Sequence, residues 1–268
     1  MAVLQAILLG IIEGFTEFLP ISSTGHLLLA QDVIGYKDTA EIFTVVVQMG
    51  ALGAVLWYYR SDLMQKVSGL LKGDKKVVNF WKVWILATIP AAAAGILIES
   101  QLSSIGTPAV IAVALILGGI IIWLIETYHH AKPSKTELQF NSLSTKQAVQ
   151  IGFYQVLALV PGVSRSGATI MGGVLSGLDR VTATAFSFYL SIPILLLAGL
   201  YKLAKGHDDL ATISGGGLAL IVGTIASFIT AFIVIGWLLK YVSKHDFKIF
   251  AYYRILLGFL ILVALMIG

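Results

Sequence analysis

Glu13 and Glu17 lie four residues apart in a mainly apolar N-terminal stretch, Met1–Ile34, which also carries Ser22-Ser23-Thr24-Gly25 and His26. On a helix that spacing puts both carboxylates on one face. Two carboxylates so close in a dry site repel, unless a cation lies between them. The cation candidates are a divalent metal held by Glu13 and Glu17, or Arg165 from a second apolar stretch, Gln147–Leu178. A structural Glu–Arg pair pinning the two stretches together is the plainer alternative, although one carboxylate suffices to neutralise one arginine.

Ser22-Ser23-Thr24-Gly25 and Ser164-Arg165-Ser166-Gly167 each look like the opening of a helix. Helix N-termini offer free N–H groups and a positive dipole end, which suit a phosphate. Hydroxyls and an arginine fork add donors of the right kind. A single copy would read as an ordinary N-cap; two copies, one bearing Arg165, favour a shared anion site. His26, within one helical turn of Ser23, is placed to act as base for the hydroxyl or for water. Gln48, mid-span and uncharged, either bonds between helices or lines the site. Paired carboxylates, a phosphate cradle and a hydroxyl–imidazole pair together fit metal-assisted phosphoryl transfer on a lipid substrate.

The elements that must position these groups are membrane helices. Of 268 residues, 57% are hydrophobic and only 12% charged, about half the charged share of a soluble domain; mean hydropathy is +0.90. That balance excludes a soluble enzyme, a nucleic-acid-binding domain and a disordered regulator. The absence of cysteine excludes disulfides and thiolate chemistry. Met1–Ile12 has no basic residue before it and no polar mature start behind it, so it does not read as a cleaved signal.

Uncharged runs approaching a ~20-residue crossing recur at Ile42–Tyr59, Val83–Ile98, Pro108–Ile125, Val181–Tyr201 and Ala211–Leu239, with Ile249–Ile267 interrupted by Arg254. Met1–Ile34 and Gln147–Leu178 are each broken near the middle, at Pro20-Ile-Ser-Ser-Thr-Gly25 and Pro161-Gly-Val-Ser-Arg-Ser-Gly167. Each half is too short to cross, so both read as re-entrant hairpins. With six crossings and two such hairpins, all but four of the 18 basic residues fall on one side. The exceptions are Lys37, Lys202 and Lys205 on the other side and Arg165 within a hairpin. The basic side is then cytoplasmic, by the positive-inside tendency.

A shift of 142 positions superposes the hairpins: Gly10 on Gly152, Glu13 on Gln155, Ser22 on Ser164, Thr24 on Ser166 and Gly25 on Gly167. Three crossings between the copies give them opposite orientations, an arrangement shared with many transporters. The expected fold is an all-α integral membrane protein of about six transmembrane helices plus two re-entrant hairpins. It forms one membrane domain, 1–268, of inverted-topology repeats at about 1–128 and 146–268. Gly118-Gly119 and Gly172-Gly173 mark close helix packing.

At Glu13-Gly-Phe-Thr-Glu-Phe-Leu-Pro-Ile-Ser-Ser-Thr-Gly-His26 and Pro161-Gly-Val-Ser-Arg-Ser-Gly-Ala-Thr169 the chain resembles the bacterial undecaprenyl pyrophosphate phosphatases, also called bacitracin-resistance proteins. Length and hydropathy match throughout. The resemblance implies hydrolysis of undecaprenyl pyrophosphate to the monophosphate carrier that peptidoglycan synthesis reuses. It also implies a divalent cation, Mg²⁺ or Ca²⁺, and a cytoplasmic-membrane site open to the outer face. Glu13 and Glu17 would be metal or catalytic carboxylates, and Ser22, Ser23, Thr24 and His26 the catalytic turn. Arg165 with Ser164, Ser166 and Thr169 would bind pyrophosphate. Ser23 activated by His26 is the expected nucleophile, with direct attack by His26, or by water that it activates, as variants. The expected partners are the prenyl pyrophosphate lipid and the bilayer, with no nucleic acid; a homodimer is compatible with the chain. A transporter or flippase of the same lipid is the rival reading.

Overall fold

A computed structural model describes residues 1–38, 41–129, 140, 143–205 and 213–267, and folds them without strands. Two hairpins of short helices are present, α1 (Ala2–Thr16) with α2 (Ser23–Ile34), and α7 (Thr145–Val156) with α8 (Arg165–Leu175). Around them stand α3 (Ile42–Tyr58), α4 (Arg60–Leu71), α5 (Lys75–Ile105), α6 (Pro108–Tyr128), α9 (Arg180–Lys205), α10 (Gly216–Val242) and α11 (Lys248–Ile267). Five of these, α5, α6, α9, α10 and α11, are long and apolar enough to span a bilayer, and the bent pair of α3 with α4 makes a sixth when counted as one span.

Both hairpins begin and end on one face, as expected of re-entrant segments. Gln5 near the start of α1 donates to Ile34 O at the end of α2 (2.8 Å), and Gln147 near the start of α7 donates to Ser176 O just past α8 (2.9 Å). These two bonds are themselves related by the shift of 142. The first hairpin's open end lies with the start of α10, where Gly215 meets Ala2. The second lies with the start of α5, where Asn79 donates to Leu143 O, and with the end of α6, where His129 bonds Val174 O.

The breaks have a local cause. Proline lacks an N–H and disfavours helix at the residue before it, so α1 stops short of Pro20 and the 3₁₀ turn Leu157–Leu159 stops short of Pro161. Gly162 has φ +93°, and a Cβ there would fall 2.7 Å from Ile111 O; only glycine fits.

Each hairpin packs against a long helix of the other half, α1 along α10 and α7 along α5. The matched glycines allow it. A Cβ on Gly10 would lie 2.2 Å from Gly223 O, and one on Gly152 would lie 2.8 Å from Ala87 O. The paired glycines of the sequence also sit at close approaches, Gly172 against Tyr154, Gly173 against Ala183 and Gly119 against Ala251 O.

Three expectations need correction. The first crossing does not end in a loop at Tyr59 but bends by 69° into α4. Lys66 pairs with Asp62 (2.7 Å), Trp81 donates to Lys66 O, and Tyr189 donates to Asp62, so α4 is held against α5 and α9. Helix α5 starts eight residues before the apolar run, because Asp74 caps it by accepting from Lys76 and Val77; hydropathy marks the span, not the helix. Finally, Lys66 and Arg254 are not loop charges. Lys66 lies against the Phe80, Phe140 and Tyr189 rings, and Arg254 is completely buried. Lys132, Lys135 and Ala211, which the span and charge assignments used, lie outside the described residues.

Candidate active site at the junction of two broken helices

Helices α2 and α8 start where the two breaks meet. Their N-caps, Ser22 and Ser164, adopt the same unusual backbone, φ 71° and 75°, a region costly for a residue with a side chain. Each caps its helix by accepting from the glycine three residues on, Gly25 (3.4 Å) and Gly167 (3.1 Å). The next backbone N–H groups in, those of Ser23, Thr24, Arg165 and Ser166, have no protein partner among the described residues.

The breaks are tied directly. Ser166 Oγ donates to Leu19 O (2.7 Å) and shares a hydrogen bond with Ser164 Oγ (3.0 Å). Arg165 Nη2 donates to Glu17 Oε1 (2.9 Å) and its Nη1 to Ser187 O on α9 (3.0 Å). Arg165 Nε stays buried and unpartnered. Ser23 Oγ donates to Glu17 Oε2 at 2.5 Å, and Gln48 Nε2 approaches the same oxygen at 3.5 Å. Glu17 is thus gripped from both sides, by a cation on one oxygen and a hydroxyl on the other.

Glu13 is fully buried beside Glu17 and Gln48, yet neither of its carboxylate oxygens makes a hydrogen bond of ordinary geometry. An orphaned buried carboxylate is costly. Paired with Glu17 it supplies hard oxygens of the kind Mg²⁺ and Ca²⁺ prefer. Among the described residues no third His, Asp or Glu joins them. Two carboxylates with substrate phosphates completing the shell is the usual form of a Mg²⁺ site, so the residues present fit such an ion.

Glu17, Ser22, Ser23, Thr24, Gln48, Ser164 and Arg165 line one cavity of about 160 Å³, whose remaining wall is largely apolar, with Ala91, Leu159, Ile194 and Leu195. It has room for a compact anionic head, and an apolar flank for what the head is attached to.

Several sequence expectations are placed differently. His26 does not hydrogen-bond Ser23 or line the cavity. One ring nitrogen, Nδ1, bonds Ser22 O (2.7 Å) and the other the Tyr253 hydroxyl (2.7 Å). Because a carbonyl only accepts, Nδ1 carries the proton and Nε2 takes the bond from Tyr253. Along a helix the side chain three residues on need not face the same partner once the N-cap carbonyl and α11 compete for it. Ser166 and Thr169 are also turned away from the cavity; Thr169 Oγ1 donates to Arg165 O (2.8 Å) and meets Ser187 Oγ (2.6 Å). Thr169 holds the arginine's backbone, and Ser166 ties α8 to Leu19 O of the other break, rather than lining the pocket.

Gln155, Ser187, Tyr253 and Arg254 were not singled out as site residues. Gln155 lines the cavity with its Oε1 unpartnered, and its match to Glu13 in the repeat was the available signal. For Arg254 the signal was an arginine inside an apolar run. Nothing in the sequence pointed to Ser187 or Tyr253.

The fold defines a helical, multi-pass membrane protein in which two broken helices bring a carboxylate, an arginine and several hydroxyls to one cavity. The model of the family described as bacitracin resistance protein BacA matches residues 6–260. "Undecaprenyl-diphosphatase 3" of Acinetobacter baylyi is 44% identical over 98% of this chain and 97% of its own length. "Undecaprenyl-diphosphatase 1" of Burkholderia cenocepacia is 43% identical over 97% and 94%, and "Undecaprenyl-diphosphatase 2" of Shewanella oneidensis 42% over 96% of both. The chain belongs to the bacitracin resistance protein BacA family.

Proposed function

We propose that this chain is an undecaprenyl-diphosphatase, which hydrolyses undecaprenyl pyrophosphate to undecaprenyl phosphate and inorganic phosphate. In the bacterial cytoplasmic membrane, with the site reached from the outer face, that reaction returns the lipid carrier to peptidoglycan synthesis and confers bacitracin resistance. The observation that carries it is Ser23 hydrogen-bonded to a carboxylate, Glu17, that Arg165 grips from the other side, at two helix N-termini with free amides. A pure flippase needs the amides and the arginine but not a hydroxyl poised on a base.

The pyrophosphate head enters the cavity while the prenyl chain stays along the apolar flank. The amides of Ser23, Thr24, Arg165 and Ser166 and the free Arg165 Nε–H receive the phosphate oxygens. Ser23 Oγ attacks the terminal phosphorus, and its proton passes to Glu17 Oε2. The bond from that phosphorus to the bridging oxygen breaks, and undecaprenyl phosphate leaves with the bridging oxygen. Glu17 hands that proton to the departing oxygen, then takes a proton from the water that attacks the phosphoserine. The bond from phosphorus to Ser23 Oγ breaks, Glu17 returns the proton to Ser23 Oγ, and phosphate departs. Glu13 and Glu17 would hold a divalent cation, which when bound offsets charge on the phosphate oxygens. Residues 1–128 and 146–268 act as the two repeats that bring the helix N-termini face to face.

The test is phosphate release from undecaprenyl pyrophosphate in detergent, with and without Mg²⁺ or Ca²⁺, for the unaltered protein, Glu17→Gln and Arg165→Ala. Cation-dependent release lost in both variants supports the reading. No release from folded protein, in conditions where another phosphatase works, would overturn it.

A further inference from the structure

Arg254 is an arginine at membrane depth that the proposed reaction does not use. Its side chain is completely buried, and among the described residues no carboxylate pairs with it. All five of its N–H groups instead go to main-chain carbonyls. Nε donates to Leu115 O (3.3 Å), and Nη2 to Ala114 O (3.1 Å), both on α6. Nη1 donates to Pro20 O (3.0 Å) and Val163 O (2.9 Å), and Nη2 also to Gly162 O (3.0 Å).

The partners are telling. Pro20 and Gly162 are 142 positions apart, so they are the same position in the two repeats, each two residues before a strained N-cap. One guanidinium therefore holds the carbonyls that lead into both Ser22 and Ser164. Such backbone persists only where the surroundings over-determine it. The chain also makes room for this group. A Cβ on Gly118 would lie 2.1 Å from Arg254 Nη2, and one on Gly167 would lie 3.2 Å from Nη1. An ammonium has three donors on one atom and cannot reproduce a five-donor fork.

We propose that Arg254 is a positioning residue: it clamps the two N-cap turns together and so sets the aim of the α2 and α8 amides on the phosphate. The inference rests on the diphosphatase reading for its kinetic consequence, but not for its structural one. Arg254 touches no substrate. Its loss leaves Glu17, Ser23 and Arg165 in place and misdirects the amides that receive charge during transfer. The effect therefore falls on kcat rather than on KM, which the apolar flank also supports.

The experiment compares Arg254→Met, Arg254→Lys, Gly118→Ala and Gly258→Ala with the unaltered protein. Gly118→Ala displaces the guanidinium without removing it. Gly258→Ala disturbs the same α6–α11 packing, through Ala112 O at 2.6 Å, without touching the guanidinium. Kinetics on undecaprenyl pyrophosphate, thermal unfolding midpoints and hydrogen exchange of peptides covering 20–25 and 162–167 are measured on each. A misplacement of about 1 Å costs about 100-fold, so Arg254→Met, Arg254→Lys and Gly118→Ala should each lose about that much kcat with KM little changed. Amides of both turns should exchange faster together. Gly258→Ala should lower the unfolding midpoint and keep kcat. Wild-type kcat in Arg254→Met, unchanged exchange in both turns, or an equal kcat loss in Gly258→Ala would overturn the clamp. If the unaltered protein released no phosphate, the diphosphatase reading would fail by itself, and the exchange data would still decide the clamp.

Discussion

Ser23 Oγ donates to Glu17 Oε2 at 2.5 Å, whereas His26, one turn along the same helix, faces Ser22 O and Tyr253. The base within reach of the hydroxyl is a carboxylate from the other arm of the hairpin. Loss of a general base costs about 10²- to 10⁴-fold, so Glu17→Gln should lower kcat by that much. Ser23→Ala should lower it by more than about 10³-fold. His26→Gln, which keeps a donor toward Ser22 O, should lose less than about tenfold. Steady-state phosphate release decides the order; His26→Gln falling below Glu17→Gln would return the histidine to the base role.

Glu17 and Arg165 act as one unit, because each occupies the other at a buried contact of 2.9 Å. Removing one partner leaves an uncompensated buried charge, at about 3–5 kcal/mol. Arg165→Ala should cut kcat/KM by about 10²- to 10³-fold as a lost charge-stabilising donor. The double variant with Glu17→Gln should be far less than additive. Additive losses in the four-way comparison would separate the two roles.

Glu13 contributes two unpartnered buried oxygens, so its role should surface in cation dependence. Glu13→Gln should raise the Mg²⁺ or Ca²⁺ concentration for half-maximal activity by about 10- to 100-fold, the range seen when a metal site loses support, and chelation should silence the unaltered protein. An unshifted cation curve would assign Glu13 to another task.

The matched glycines carry the hairpin packing. Gly10→Ala and Gly152→Ala each drive a methyl into a backbone carbonyl and should destabilise by about 1–3 kcal/mol, read as a lower unfolding midpoint in detergent. Gly217→Ala, with nothing within 4 Å of its Cβ, should be neutral or slightly stabilising at a helix start.

The chain has no cysteine, so single cysteines report sidedness cleanly. Lys37 and Lys244 are both exposed. An impermeant thiol reagent applied to intact cells should label Lys37→Cys and spare Lys244→Cys. The reverse pattern would invert the membrane orientation.

Much of this was legible in the residues. Hydropathy located five spans, and the apolar part of the bent α3–α4 pair, because a bilayer demands a run of apolar residues wherever the chain crosses. The two Pro–Gly breaks announced re-entrant hairpins because proline ends a helix by covalent geometry. The 142-residue shift held down to matched bonds, Gln5 to Ile34 O and Gln147 to Ser176 O. Glu17, Ser23, Gln48 and Arg165 were recognisable because charge and hydroxyls at membrane depth are costly and therefore stand out.

Other features belonged to the tertiary structure alone. Local spacing put His26 beside Ser23, but a rotamer is chosen by whatever surrounds it, and Ser22 O with Tyr253, 227 residues away, outcompeted the neighbour. The helical continuation into α4 was hidden because its polarity reads as a loop until Asp62 finds Tyr189 and Lys66 finds its aromatic rings. Arg254 counted as one more basic residue near a membrane face. Only the fold, by bringing five carbonyls from three segments to one point, turns that charge inward and makes it the fastening between the two halves.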